Sequence, residues 1–194
     1  SFKKFDICSI DMKKKYYKAK STFAFKTNFI RILWNVVYYL LFRFSPLYLT
    51  GYRRAILRVF GAKIDTKVRI YPSVKIWLPS NLSIKKGSVL GKEVNVYNQG
   101  YISIDKDVII SQYSHLCASS HNYSFKNPYL PLYTHPITIE KNCWVCADAF
   151  IGPGVKLSKG TVVGARSVIF KDTIINGVYM GNPGKLIKKR KYKK

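Results

Sequence analysis

The sequence predicts an all-β solenoid, a parallel β-helix that follows a short helical N-terminal region. In the C-terminal half a branched aliphatic residue recurs every six positions, and a small or β-branched residue follows most of them four positions later. A period of six is neither the 3.6 of an α-helix nor the 2.0 of an isolated strand. Such a unit builds one face of a triangular prism, so three units, about 18 residues, complete one coil, and strands of successive coils stack in parallel about 4.8 Å apart.

Residues 1–63 form a basic and aromatic region for which we expect helices. They carry 14 Lys and Arg against two Asp and Glu. The apolar run 32–42 is bracketed by arginines and is shorter than the ~20 residues of a membrane-spanning helix. A second helical stretch, 52–60, is followed by Gly61, and glycine is the usual residue after a helix C-terminus. Two short helices therefore precede the β-helix.

The aromatic residues of this region leave three interpretations open. Beside Arg31 and Arg43 they could lie at an anionic membrane surface, they could cap the open first coil of the β-helix, or they could belong to a solvated basic surface. Peripheral membrane contact is thus one expectation and an end cap is its competitor. The residues concerned are Trp34, Tyr38, Tyr39 and Phe42.

Residues 64–184 carry the six-residue repeat and are expected to form about five coils. Two-residue offsets interrupt the phase twice, and such insertions fall at the corners of a solenoid. One longer interruption predicts a loop excursion near 122–137. The longest unbroken series of predicted inward residues is Ile139, Val145, Ile151, Leu157, Val163, Ile169 and Ile175. The earlier ones are Ile64, Ile70, Ile76, Ile84, Leu90, Val96, Ile104, Ile110 and Leu116.

The net charge of +25 is concentrated at the two ends of the chain. Residues 185–194 form a basic C-terminal tail with seven Lys and Arg and no acidic residue, whereas residues 64–184 carry 13 Lys and Arg against seven Asp and Glu. Binding of nucleic acid depends on neutralising many phosphates. Because the predicted main domain is only mildly basic, we do not expect a nucleic-acid partner.

Four cysteines in 194 residues are few, which favours a reducing compartment over secretion. We expect a cytoplasmic protein, with the inner face of the membrane as a peripheral location. The pair Cys143 and Cys146 has the spacing of half a zinc or thioredoxin motif, but the sequence holds no second pair. Cys143 also occupies a small inward position of the repeat, so it is expected to fill the core, and no metal is required.

Several segments resemble the hexapeptide-repeat acyltransferases, and within them the colanic-acid-biosynthesis acetyltransferase group. The resemblance covers most of residues 30–190. Its most specific segments are Val145-Cys-Ala-Asp-Ala-Phe-Ile-Gly-Pro-Gly-Val-Lys-Leu157, Val163-Gly-Ala-Arg-Ser-Val-Ile-Phe-Lys-Asp172 and Gly181-Asn-Pro-Gly-Lys185. Further matches are Arg69-Ile-Tyr-Pro-Ser73, Ile109-Ile-Ser-Gln112 and Ser119-Ser-His-Asn-Tyr123.

This resemblance implies the fold's handedness, its assembly and its activity. It implies a left-handed coil, acetyl-CoA as co-substrate, and a homotrimer whose active sites lie between neighbouring chains. The implied reaction is O-acetylation of a sugar in a bacterial surface-polysaccharide or lipopolysaccharide precursor, which could be lipid-linked.

The resemblance places the catalytic histidine at His121, where the long interruption of the repeat begins. Attack of a sugar hydroxyl on a thioester needs a base that works near neutral pH, and imidazole is the side chain best suited to this. The sequence contains no Gly-x-Ser-x-Gly motif, which favours direct transfer without an acyl-enzyme. His115 and His135 are expected to be ordinary surface residues.

The remaining site residues are implied by the resemblance or by their side-chain chemistry. The backbone of Ala147 would stabilise the oxyanion, although relatives often carry serine at this position. The expected cofactor contacts also include Gly164, Ala165, Lys171 and Lys185, the lysines meeting CoA phosphates. The expected acceptor contacts are Asn98, Tyr123, Tyr129 and Trp144, because aromatic rings stack on sugars.

Two alternative functions remain open at this point. The protein could acetylate an amino sugar at nitrogen, or it could be a non-catalytic, membrane-associated scaffold in glycan assembly. A zinc site like that of the related β-helix carbonic anhydrases requires two neighbouring histidines and a third about two coils away. The three histidines of this chain do not have that spacing.

Overall fold

The structure is a computed structural model that describes residues 23–124 and 130–191. Its main body is a left-handed parallel β-helix. Its three sheets run the length of a triangular prism. Sheet A contains Lys63–Ile64, Leu82–Ile84, Ile102–Ile104, Ile137–Ile139 and Lys156–Leu157. Sheet B contains Arg69–Ile70, Val89–Leu90, Ile109–Ile110, Trp144–Val145, Val162–Val163, Gly177–Met180 and Lys185–Lys189. Sheet C contains Lys75–Ile76, Asn95–Tyr97, His115–Cys117, Phe150–Ile151 and Val168–Ile169.

Equivalent aliphatic residues stack on one another through five complete coils and the start of a sixth. Ile64 pairs with Ile84, which pairs with Ile104, and Ile139 continues the same column. All predicted inward residues from Ile64 to Ile169 are buried. The two-residue offsets fall at the corner between sheets C and A, as predicted. The six-residue period therefore identified the core correctly up to the last coil.

Cys143 fills the core as the repeat predicted. Only 1% of its surface is exposed, and burial raises the pKa of its thiol to about 11. Burial also raises the pKa of the Cys146 thiol. Both side chains are therefore protonated at neutral pH, which is the wrong state for a thiolate ligand or nucleophile.

The prediction that Ile175 points inward is wrong. Its side chain is 59% exposed, because the chain shortens the sixth turn by two residues, so that Val163 pairs with Tyr179. Thr173, which the repeat places inward four positions after Ile169, is buried as predicted, and its hydroxyl accepts a hydrogen bond of 2.9 Å from the backbone N–H of Ser158. No further complete coil stacks on this end, so a hydroxyl takes the place of the missing carbonyl.

The expected C-terminal tail begins with a strand. Lys185–Lys189 pairs antiparallel with Gly177–Met180 and extends sheet B at the end of the β-helix. All five side chains of this strand are exposed.

Two helices close the opposite end of the β-helix. The first, α1, spans Phe25–Val37 and continues into a π-helical turn at Tyr38–Phe42, and the second, α2, spans Thr50–Val59. A 3-10 turn at Pro79–Asn81 is the remaining helical element of the described residues. From α1 and the π-helical turn, the side chains of Trp34, Tyr38 and Phe42 are buried in the same core as the first coil. Of the interpretations left open, the end cap therefore applies to these three side chains, whereas Tyr39 is exposed.

Side chains of these helices satisfy backbone carbonyls that the first coil leaves unpaired. Along the strands, a backbone N–H donates to a carbonyl of the next coil, as Tyr71 does to Leu90 at 3.1 Å. Because no coil precedes the first one in the part of the chain that the structure describes, its carbonyls receive no such hydrogen bond from a strand. Side chains of the two helices donate to four of these carbonyls instead. The bonds run from Trp34 Nε1 to Ile76 at 2.7 Å, from Arg53 Nε to Ile70 at 2.7 Å, from Arg54 Nη1 to Val68 at 2.9 Å and from Arg58 Nε to Ile64 at 2.8 Å. The N-terminal region thus forms a polar as well as an apolar cap.

The buried side chain of Arg53 stabilises this cap through hydrogen bonds. It is fully buried, and its guanidinium also donates to the hydroxyl of Ser45 and to the carbonyls of Pro46 and Leu47 at 2.6 to 2.9 Å. Burial lowers the pKa of Arg53, and the neighbouring Arg54 adds to that effect. Among the described residues no carboxylate pairs with Arg53. The four oxygen atoms that accept its hydrogen bonds compensate for the burial of the guanidinium.

Candidate active site

His121 lies on a β-hairpin that leaves the β-helix at the corner between sheets C and A. The strands Ser119–His121 and Leu132–Thr134 pair antiparallel, with His121 opposite Leu132. This is the excursion that the sequence predicted near 122–137. We call the described residues of this excursion, 119–124 and 130–134, the histidine hairpin. Tyr129, an expected acceptor contact, lies outside the described residues.

The hairpin fixes the imidazole of His121 in one tautomer. Nδ1 lies 2.8 Å from the carbonyl oxygen of Leu130, and since a carbonyl can only accept, Nδ1 must carry the proton. Nε2 of the neutral ring is then left with a lone pair. The side chain of His121 is exposed, so an acceptor substrate can reach it. This arrangement leaves Nε2 available to accept a proton, and the catalytic role that the resemblance implied for His121 stays a prediction.

Asn122 supports the turn after His121, and the sequence analysis missed it. Asn122 is buried, and its backbone N–H donates to the carbonyl of Pro131 at 2.9 Å. Its Oδ1 accepts from the backbone N–H of Ser124 at 2.9 Å. Asparagine followed two positions later by serine at the start of a loop is typical of such an Asx turn, and that signal was visible in the sequence.

The other two histidines are packed into the structure, so their assignment to the surface is wrong. His115 is half-buried in a row of rings on the outer face of sheet C, with centroids 6.2 Å from Tyr97 and 5.3 Å from Phe150. Burial lowers the pKa of His115. His135 is buried, and its backbone N–H donates to the carbonyl of Ala118. Both contribute to packing.

Ala147 and Ala165 occupy equivalent positions one coil apart, at the corner between sheets B and C. They line an open cleft of about 450 Å³ together with Tyr113, Asp148 and Arg166. Within the described part of the chain, the backbone N–H groups of both alanines donate no hydrogen bond. We call this cleft the alanine corner. It offers two free backbone donors beside a space that no side chain fills.

The predicted cofactor residues near this corner differ in accessibility. Gly164 is buried, and its N–H donates to the carbonyl of Tyr179 at 2.8 Å. A Cβ at this position would lie 2.8 Å from Cγ of Met180, so Gly164 permits close packing of the last turns, and its contact with the cofactor stays a prediction. Lys171 and Lys185 are exposed near the last coil, and their contact with phosphates stays a prediction.

Asn98, an expected acceptor contact, is hydrogen-bonded to backbone groups inside the β-helix. Its side chain is fully buried at the corner between sheets C and A. Oδ1 accepts from the backbone N–H groups of Trp77 and Leu78 at 3.1 Å, and Nδ2 donates to the carbonyl of Leu78 at 2.6 Å. Asn98 braces the two-residue insertion at this corner, which explains why a polar residue stands there.

The other two expected acceptor residues are accessible. Tyr123 is 64% exposed and lies two residues beyond His121 in the histidine hairpin. Trp144 is 45% exposed on the outer face of sheet B, and its indole N–H donates to the hydroxyl of Ser111 at 3.0 Å. Tyr123 therefore lies in the hairpin beyond the corner between sheets C and A, and Trp144 lies on sheet B.

A single chain does not bring His121 to the alanine corner. His121 leaves the prism between sheets C and A, whereas Ala147 lies between sheets B and C. Direct transfer requires the base and the oxyanion donor to meet at one acyl group. Within one protomer the two features therefore lie at different corners of the prism.

Comparisons with known proteins agree with this architecture. The chain is 42% identical over 164 residues to the colanic acid biosynthesis acetyltransferase WcaF of Escherichia coli K12, which covers 84% of this chain and 89% of that protein. It is 26% identical over 139 residues to the galactoside O-acetyltransferase of the same organism, covering 70% and 68%. A hexapeptide-repeat acetyltransferase of Vibrio cholerae, solved in complex with acetyl coenzyme A, superposes with a TM-score of 0.76 at 19% identity, covering 87% and 91%. No protein-family model matches the sequence.

Proposed function

Because the chain belongs to the hexapeptide-repeat acetyltransferases, with a colanic acid acetyltransferase among its relatives, we propose that it is a sugar O-acetyltransferase. The donor is acetyl-CoA, and the acceptor is a hydroxyl group of a bacterial surface-polysaccharide or lipopolysaccharide precursor. The observation that carries the proposal is the geometry of His121, whose Nδ1 is held by Leu130 and whose Nε2 is free to accept a proton.

The alanine corner suits the thioester end of acetyl-CoA. Two small side chains leave an open cleft, and the free N–H groups of Ala147 and Ala165 are donors that the fold itself does not use. Because Ala147 lacks a hydroxyl group, only its backbone could stabilise the oxyanion. Lys171 and Lys185 supply positive charge for the CoA phosphates, which bind favourably to cations.

In the proposed reaction His121 removes the proton from the acceptor hydroxyl as its oxygen attacks the thioester carbonyl. The backbone N–H of Ala147 stabilises the negative charge that develops on the carbonyl oxygen. The carbon–sulfur bond then breaks, and the imidazolium of His121 returns the proton to the leaving thiolate. The products are the acetyl ester and free CoA, and His121 regains its initial neutral state.

Two copies of the chain would be needed to complete this site. Trimers are typical of the family. In a cyclic assembly the same two surfaces meet at every interface. We propose that the histidine hairpin of one protomer faces the alanine corner of its neighbour, so that Tyr123 and Trp144 flank one acceptor from opposite chains.

Acceptor and bond type can be tested with the purified full chain. Acetyl-CoA is offered with a panel of neutral sugars, matched amino sugars and lipid-linked saccharides, and release of CoA thiol is followed. We expect thiol release with hydroxyl acceptors and a product that mild alkali deacetylates, because esters hydrolyse and amides do not. Acetylation confined to amino sugars, with an alkali-stable product, would instead identify an N-acetyltransferase. Absence of both transfer and CoA binding would favour a scaffold.

A further inference from the structure

We propose that α1 docks this protein on an anionic lipid surface through the helix face turned away from the β-helix. The apolar residues of that face are spaced three or four positions apart and are between 50% and 87% exposed. We call them the outer stripe. They are Phe25, Phe29, Ile32, Val36 and Leu40.

The outer stripe is a second apolar face on a helix that already has a buried one. A surface helix normally presents one apolar face to the core and polar residues to solvent. Here Trp34, Tyr38 and Phe42 take the core side, and the outer stripe lies on the opposite side of α1. Exposed apolar side chains continue beyond the helix at Phe44, Leu47 and Tyr48, which are 79%, 57% and 81% exposed. Exposed apolar side chains in such number mark an interaction site.

The charge around the outer stripe favours anionic lipid as the occupant. Between positions 23 and 64, the described residues include seven Lys and Arg and no Asp or Glu. Lys26 and Arg31 lie on α1 itself, whereas Arg53, Arg54 and Arg58 donate to carbonyls of the first coil. Basic residues beside an apolar helix face are typical of helices at anionic membrane surfaces. A second copy docking by the same face would bring like charges together without compensation.

The geometry indicates a helix lying in the plane of the interface. Within the described ranges, no helix is long and apolar enough to cross a membrane. Trp34 and Phe42 are fixed in the core, so α1 can insert only its outer side. The rings and aliphatic side chains of the outer stripe would then reach the boundary between headgroups and acyl chains.

The test uses the full chain and point variants, because deletion of the region would also remove Trp34 and Phe42 from the core. Binding to phosphatidylcholine vesicles with and without phosphatidylglycerol is measured by co-sedimentation at low and high salt. The test variant is Phe29→Ser with Ile32→Ser. The matched control is Ile174→Ser with Ile175→Ser, since these exposed isoleucines lie at the opposite end of the β-helix. Circular dichroism confirms that each variant is folded.

We expect the wild-type chain to bind only the vesicles that contain phosphatidylglycerol, and less at high salt. The outer-stripe variant should bind at least about tenfold more weakly, because it loses two inserted apolar side chains, and the control should bind like the wild type. Failure of the wild type to bind, or equal binding by the outer-stripe variant, overturns the proposal. A change in assembly mass caused by the outer-stripe variant would instead assign this face to a contact between copies. Transfer to a free sugar in the absence of vesicles is measured separately, so the two proposals can fail independently.

Discussion

Replacement of His121 by alanine should lower kcat for acetyl transfer by about 10²–10⁴-fold while CoA binding is retained. The substitution removes the Nε2 atom that accepts the hydroxyl proton. The donor would be held at the alanine corner, which His121 of the same chain does not approach. The measurement is kcat at saturating acetyl-CoA together with the dissociation constant of CoA by calorimetry.

The matched control for this prediction is His115→Phe. It removes the imidazole of a second histidine but keeps a ring between Tyr97 and Phe150. We expect kcat near that of the wild type, because His115 packs on the outer face of sheet C. If His121→Ala turned over as fast as the wild type, the general-base mechanism would be wrong.

Replacement of Ile151 by aspartate should abolish folding. Ile151 is fully buried and stacks between Leu116 and Ile169 in the column of sheet C. An unpaired carboxylate there costs several kcal/mol, against a total stability of about 5–15 kcal/mol for a typical domain. Circular dichroism and thermal unfolding of the purified variant test this.

Ile175→Asp is the control, because the six-residue period gives both isoleucines the same position. The structure places Ile175 at the surface, 59% exposed, where a carboxylate stays hydrated. We expect this variant to fold and to unfold at nearly the wild-type temperature. A folded, active Ile151→Asp protein would refute the inward assignment of the repeat.

The repeat made the core of this fold predictable from the sequence. Each inward aliphatic residue packs on its counterpart in the next coil, so the same local requirement recurs throughout the β-helix. The requirement ends where stacking ends. Ile175 follows the last complete coil, where the turn is two residues shorter and the period no longer places it inside.

The surroundings of individual residues could not be predicted from the repeat, because they depend on tertiary contacts outside it. The sequence gives the same apolar character to both faces of α1, so Trp34 could not be distinguished from the exposed residues before the helix was placed. Asn98 was assigned to the acceptor, yet its amide bonds to backbone groups about one coil away. The resemblance identified His121, but the partner that fixes its tautomer is the carbonyl of Leu130, and a backbone carbonyl carries no sequence signal.

The most direct test of a site shared between protomers is complementation between two inactive variants. His121→Ala lacks the base, and Ala165→Trp fills the alanine corner. Differently tagged chains are co-expressed, and mixed assemblies are purified through both tags. In a mixed cyclic trimer, one interface in three joins an intact hairpin to an intact corner, so we predict about a third of the wild-type kcat. Activity no higher than that of either variant alone would contradict a site shared between copies.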